Sequence, residues 1–372
     1  MVKRPWYFFV LFAVFVLVVG AACSASGGDT SPTAEPTEDS AAIPTAKPQP
    51  TAELPKPALP TQGAAPVGPA PFEIDSNVYE HSSGIFSFNP PAGWSVDESE
   101  SDLLMISPDN TGSIYLSATN TGTELDLESL DRFIQAREAS FFSGRDGYAQ
   151  LDSQLYDDAT AVTKKTFLFD NVPQYVFTIY LARGPAVFAF DFWADEDLAE
   201  AYNQPYLDVA NTINYDGNKA GELPIYNFIY THTDPNGLFQ FEVPSAWTYS
   251  YDEAENVYVD TFVSPDLHSK IENVTYDDGT TWSKSQAGAF ALALLNEYYT
   301  DGSNDIKITG DKVQPDDSER LTWESRNGGF SGISFFETRG TTFLMLSWLV
   351  DGGYEEVYGP VFDGTLGSYA IP

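Results

Sequence analysis

Cys23, the only cysteine in the chain, is the first residue equipped for chemistry. A lone thiol can be a nucleophile or an acylation site, but it can form no intrachain disulfide and no cysteine-based metal cage. Three histidines follow: His81, His232 and His268. His81 closes Tyr79-Glu-His81 and His232 closes Tyr230-Thr-His232, each just ahead of a Gly-x-Phe-x-Phe stretch. That placement admits a paired ligand or proton switch. No second histidine or cysteine stands at metal-ligand spacing, however, and no nucleophile stands beside either ring. Both are expected to be non-catalytic residues in equivalent places, at the edge of a first strand, where loop residues are commonly exposed. Carboxylates are plentiful, 54 Asp and Glu against 18 Lys and Arg. Two of them could run glycoside hydrolysis, but nothing in the sequence selects a pair. Asp97-Glu98-Ser-Glu100, Asp157-Asp158, Asp277-Asp278-Gly279 and Asp316-Asp317 fall in predicted turns, and none spells a calcium loop. They read as solvated loop charges. Trp94 and Trp247 could stack on a sugar ring, but phenylalanines at alternate positions beside them favour core packing. No Gly-x-Ser-x-Gly elbow, phosphate-binding glycine loop or His-Glu-x-x-His helix occurs. No catalytic, cofactor-binding or metal-binding residue is therefore assigned, and no cofactor is expected.

What precedes Cys23 gives it a role. Lys3 and Arg4 form a basic start, Trp6 to Val19 is an unbroken apolar run, and Gly20, Ala21 and Ala22 lead into the cysteine. The run has the length of a signal-peptide core and falls short of the roughly 20 apolar residues of a spanning helix. The small residues before Cys23 resemble the lipobox of bacterial lipoproteins, with Gly20 standing where that family usually has Leu. The resemblance implies a signal peptide over 1–22, cleavage just before Cys23 and acylation of its thiol. Two acyl chains hold a protein to a bilayer where one does so only marginally. The expectation is a lipid-anchored protein on the extracytoplasmic side of a cell membrane.

The elements that position everything else begin after a tether. Residues 23–75 are rich in Pro, Thr, Ala and Ser with no apolar periodicity, and are expected to stay disordered. Beyond them the chain repeats itself. Gly84-Ile-Phe-Ser-Phe-Asn-Pro-Pro-Ala-Gly-Trp94 matches Gly237-Leu-Phe-Gln-Phe-Glu-Val-Pro-Ser-Ala-Trp247, and Ser107-Pro108-Asp109 matches Ser264-Pro265-Asp266. Phe141-Phe142 matches Tyr298-Tyr299, Arg183-Gly184 matches Arg339-Gly340 as a hairpin turn, and Trp193 is paired with Trp348. In each copy the apolar pattern has period two, then helical spacing over Leu127, Leu130, Ile134 and Phe141 or over Ala287, Phe290, Ala291 and Leu294. Ser283 and Gln286 form a capping-box pattern. Further strands and a weaker helix, near Asp197–Ile213 and Glu355–Leu366, close each copy. Strands in runs rather than alternating with helices predict an α+β fold: two tandem copies of an antiparallel β-sheet flanked by helices. The domains are drawn at 76–218 and 222–372, joined by a turn-forming segment, and each is expected to fold alone.

The Gly-x-Phe-x-Phe-x-x-Pro-x-x-Trp opening of each copy resembles the PsbP-like superfamily. The resemblance implies an antiparallel sheet flanked by helices and a binding or accessory role, with no shared active-site motif. A net charge of −36 excludes general nucleic-acid binding, which needs a basic face. The functional expectation is a membrane-anchored extracytoplasmic lipoprotein that binds a protein or glycan partner without catalysis. The alternatives are a carboxylate-dependent hydrolase acting on glycans and a calcium-dependent adhesion or scaffold module.

Overall fold

Alternating Phe86 and Phe88 bury their rings almost completely while Ser87 between them stays half-buried, and this pleat opens a unit that the chain builds twice. The structure, a computed structural model, describes residues 71–371 except 301–304 and 327–328. The proposed signal peptide, Cys23 and residues 24–70 of the tether lie outside the described residues.

The first copy runs β1 (Tyr79–Glu80), β2 (Phe86–Phe88), β3 (Ser95–Glu98), β4 (Asp102–Ile106), β5 (Gly112–Asn120), α1 (Leu127–Glu138) and a π-helical turn at Ala139–Ser143. It continues with β6 (Ala149–Leu155), β7 (Thr160–Phe169), β8 (Val172–Arg183), β9 (Ala186–Asp195), a 3₁₀ turn, α2 (Ala199–Ala210) and β10 (Asn214–Tyr215). A short α3 (Gly217–Ala220) joins the copies where a turn was expected, because Asp216 accepts bonds from the amides of Asn218 and Lys219 and so caps a helix. The second copy has β11 (Ile229–Thr233), β12 (Gln240–Pro244), β13 (Thr248–Ala254), β14 (Val257–Val263), β15 (Ser269–Asp277) and α4 (Lys284–Thr300). Then come β16 (Ile306–Val313), β17 (Glu319–Ser325), β18 (Phe330–Arg339), β19 (Thr342–Asp351) and α5 (Glu355–Ser368).

Each copy forms a seven-stranded antiparallel sheet of one topology, β3-β4-β5-β9-β8-β7-β6 and β13-β14-β15-β19-β18-β17-β16. A smaller β1-β2-β10 sheet accompanies the first. The β11–β12 hairpin, bridged at Gln240 by Ala370, accompanies the second. The α+β reading therefore holds. The helix caps follow the sequence: Asp126 accepts from the Ser129 amide at 2.8 Å, and Ser283 and Gln286 bond reciprocally.

Hydrogen-bond register corrects two sequence pairings, and ring packing moves the end of the tether. Phe177 lies opposite Phe192 in the first copy, and Ile333 opposite Trp348 in the second. Counting from the hairpin turns, Trp348 therefore corresponds to Phe192 and Trp193 to Leu349. Phe192 packs on Tyr206 of α2, and Trp348 stacks on Phe362 of α5, so the two tryptophans face opposite sides of their sheets. His81 and His232 are likewise not equivalent. His232 pairs with Phe241 as Tyr79 pairs with Phe88, and His81 donates its amide to Phe86 as Asp234 does to Phe239. The two rings are one pleat repeat out of step. The third correction concerns the tether: Phe72 is 9% exposed, with its ring 5.1 Å from Trp94 and 5.7 Å from Tyr206, so packing begins before residue 75.

The two sheets do not have wholly separate cores. Leu130, Phe133 and Ile134 of α1 belong to one apolar cluster with Phe241, Trp247, Phe262 and Trp348 of the second copy. Thr123 donates to Asp266 at 2.9 Å across the same junction.

Candidate functional site

Four charged side chains lie under α1 in the first copy. Arg137 and Glu138 end the helix, Lys165 comes from β7 and Asp191 from β9, and none is more than 5% exposed. On the helical stripe, Arg137 stands three residues beyond Ile134, so its side chain is carried inward onto the sheet. Its Nη2 donates to Asp191 Oδ2 at 2.6 Å, and its Nη1 donates to Asp191 Oδ1 at 3.3 Å and to the Tyr180 hydroxyl at 3.0 Å. Lys165 donates to Glu138 Oε1 and, at 2.9 Å, to Thr178. Thr163 and Tyr180 also donate to Glu138 Oε1, at 2.9 and 2.7 Å. Thr178 donates to Asp191 Oδ1 at 2.5 Å. Glu138 Oε2, in contrast, is buried with no hydrogen-bond partner.

The π-helical turn after Glu138 matters here, since such turns interrupt a helix to aim side chains. It presents Phe141 and Phe142 to the cations: the Arg137 guanidinium lies 4.8 Å from the Phe141 ring centroid and Lys165 Nζ 3.8 Å from that of Phe142. Burial opposes every charge in the group. It pushes the Asp191 carboxyl up, but Arg137, with Lys165 and Thr178, more than offsets this and holds it below the usual carboxylate range. Burial also works against Arg137, yet Asp191 and Tyr180 hold its guanidinium above its ordinary value. For Lys165 burial prevails over Glu138 and Asp191, and its ammonium is lowered.

Glu138 and Thr163 also line a cavity of about 470 Å³ between α1, the π-helical turn and strands β6 and β7. Asp131, Gln135, Tyr148 and Gln150 share its wall. The Tyr148 hydroxyl is raised, first by burial and then by the charge of Glu138.

The second copy fills the same positions differently. Caps and register place Leu294, Leu295, Trp323 and Ser347 where the first copy has Arg137, Glu138, Lys165 and Asp191. Trp323 is 1% exposed, donates to Ser334 at 3.0 Å and stacks on Tyr299 at 5.4 Å. A buried carboxylate survives nearby on another strand: Glu272 of β15 accepts from Tyr299 at 2.7 Å and from Lys270 at 3.1 Å. One topology thus tolerates either a charged or a largely apolar filling at this place.

The residues singled out by sequence lie elsewhere. His81 and His232 are buried, against the expected exposed edge. His81 bonds with Ser83 at 2.7 Å and with the Asp102 carbonyl at 3.2 Å. His232 bonds with Asp260 at 2.8 Å, within a ring of Phe241, Tyr249 and Phe262. His268 pairs with Asp351 at 2.9 Å and stacks on Tyr354. Trp94 and Trp247 lie in the cores. Asp277 accepts from the Gly279 amide and from Thr341 and Thr342, Asp278 from the Thr280 amide, and Asp316 from Ser318. Asp278 and Asp316 are engaged within their own turns, whereas Asp277, the last residue of β15, also ties its turn to the β18–β19 hairpin. Among the described residues, no group of three metal-ligating side chains converges.

No protein-family model matches the chain, and no curated protein does. Among solved structures, the chain is similar to cyanobacterial PsbP (CyanoP) from Synechocystis sp. PCC 6803, at 13% identity and a TM-score of 0.32, covering 42% of this chain and 99% of that one. A Pseudomonas aeruginosa protein of unknown function, described as a putative regulator, is similar at 11% identity and a TM-score of 0.27, over 37% of this chain and 94% of the other. The immunity protein TplEi of the Pseudomonas aeruginosa T6SS, solved with an "L" peptide, is similar at 11% identity and a TM-score of 0.22, over 75% of this chain and 98% of its own.

Proposed function

We propose that this chain is a lipid-anchored, extracytoplasmic binding protein of accessory, non-catalytic role, built from two PsbP-like domains that divide the work. The first copy holds the ligand in the cavity over Glu138, and the second supports it. The observation that carries this reading is the contrast between copies. Buried ion pairs add little stability over well-packed apolar residues of similar size, and the second copy accommodates such residues at the same positions. A fold needs no Arg137, Glu138, Lys165 and Asp191 together beneath a polar cavity, whereas a binding site does. The anchor rests on Cys23 and the apolar run before it.

The deciding experiment compares the chain with a variant carrying R137L, E138L, K165W, V176G and D191S, the second copy's residues at those places. A thermal-shift screen of small soluble compounds should yield hits that raise the wild-type melting temperature and leave that of the folded variant unmoved. Hits that act equally on both chains, or no hits, would overturn the cavity reading. Fatty-acid labelling checks the anchor separately, with label expected on the wild type and absent from Cys23→Ser.

A further inference from the structure

The cavity's chemistry narrows what it holds, an inference that rests on the binding reading above. Within the network the charges cancel: Arg137 is matched by Asp191 and Lys165 by Glu138. Both oxygens of Asp191 are engaged, and Glu138 Oε1 takes three donors. Glu138 Oε2 alone has none; it lies just beneath the cavity wall to which its side chain contributes, and a ligand reaches it by a small shift of that side chain. A buried acceptor left unpaired is destabilising, so a ligand that donates to it recovers that penalty. A cationic ligand would also donate and would meet Asp131 on the same wall, but at Oε2 it would add a positive charge that the neutral, buried cluster does not match, which is costly. An anionic ligand would set a second negative charge beside Oε2. A neutral hydroxyl satisfies the oxygen without either cost.

The rest of the wall agrees. Gln150 both donates and accepts, Thr163, whose proton goes to Glu138 Oε1, can only accept, and the raised hydroxyl of Tyr148 stays protonated as a donor while its ring offers an apolar face. Alternating hydroxyls and C–H faces are what a sugar ring presents. A volume of about 470 Å³ falls in the range of small-molecule sites, roughly 300–1,000 Å³.

We infer that the first copy binds a neutral, polyhydroxylated ligand, a pyranose unit of an extracytoplasmic glycan, with one of its hydroxyls donating to Glu138 Oε2.

Saturation-transfer NMR on the full chain tests this with D-glucose, D-mannose and N-acetyl-D-glucosamine as neutral probes, and with putrescine and acetate as charged ones. At least one sugar should bind. Its affinity should fall tenfold or more in E138L/K165M, which removes a matched charge pair and keeps the chain neutral at that point. The same loss should appear in Q150A, a change at an exposed residue of an edge strand that leaves the melting temperature in place. Putrescine or acetate binding at the cavity while every sugar fails would overturn the ligand class and leave the binding reading standing. If no probe binds, or if sugar binding is indifferent to both variants, the inference falls. Absence of any response in the Tyr148 and Thr163 signals to all five probes would take the binding reading down with it.

Discussion

Arg137 and Asp191 stand 54 positions apart and meet only because β9 passes under the last turn of α1. Nothing local announces that meeting. Read along the chain, Arg137 and Glu138 look like a solvated helix end, and Asp191 is one acid among 54 Asp and Glu. One signal was available: Arg137 interrupts an apolar stripe that the second copy continues with Leu294. Arg137→Leu alone should destabilise the protein by about 3–5 kcal/mol in urea unfolding, because Asp191 is left buried without its partner. Adding Asp191→Ser should restore most of the loss. Acid should reveal the same pair. Folded Asp191 releases its proton more readily than an unfolded carboxyl at 3.8, so the unfolded chain takes up the proton first as pH falls. Its contribution is complete above about pH 4 and is lost as pH drops through the lower folded value. Asp191→Asn should therefore be less stable at neutral pH and show a shallower acid limb in pH-dependent denaturation. The histidines invite a similar test. His232→Ala leaves Asp260, itself 1% exposed, with Tyr249 as its remaining donor, and should cost about 1–3 kcal/mol. An unchanged melting temperature would contradict the buried placement.

The elements legible in the sequence are those with one apolar face. β2, β4, β8 and β19 alternate or run apolar between turn residues, and α1 and α4 carry helical stripes, so their existence followed from periodicity. The edge strands of the two seven-stranded sheets, β3, β6, β13 and β16, give no such signal. Their residues are mostly exposed, and a strand with little to bury on either face leaves no period to read. Bulges between Gln150 and Asp152 and between Ile308 and Gly310 mark β6 and β16, as expected of strands that must not recruit another chain. Side-chain size is matched across strands in a way that register alone exposes. Lys165 pairs with Val176, whereas Trp323 pairs with Gly332. A Cβ on Gly332 would come within 2.3 Å of the Trp323 ring and 2.6 Å of the Trp348 carbonyl. Gly332→Val, the first copy's residue, should cost at least about 1–3 kcal/mol through overpacking, and Trp323→Leu in the same chain should recover part of it in thermal melts.

At the scale of the molecule, duplication was plain from sequence but the junction was not, because contacts such as Thr123 with Asp266 join residues that lie far apart in the chain. The shared cluster around Phe133, Trp247 and Trp348 argues against two independent folding units. The intact chain should melt in one calorimetric transition. Residues 76–218 and 222–372 made separately should each melt lower, by more than the 2–8 °C that about 1 kcal/mol shifts a domain of this size. Two transitions in the intact chain, each matching an isolated half, would show the halves to be independent.

Phe72 carries a mechanical consequence. Glu73 and Asp75 each make one backbone hydrogen bond to the Pro90–Ala92 turn, and the Phe72 ring is held by Trp94, Tyr202 and Tyr206. Tension arriving from the N-terminal side meets this aromatic plug before it meets any strand of the seven-stranded sheet. The plug should yield first, as a small early extension in single-molecule pulling, with Trp94 emission shifting to longer wavelength as water reaches it while both sheets remain intact. In Phe72→Ala that early step should disappear.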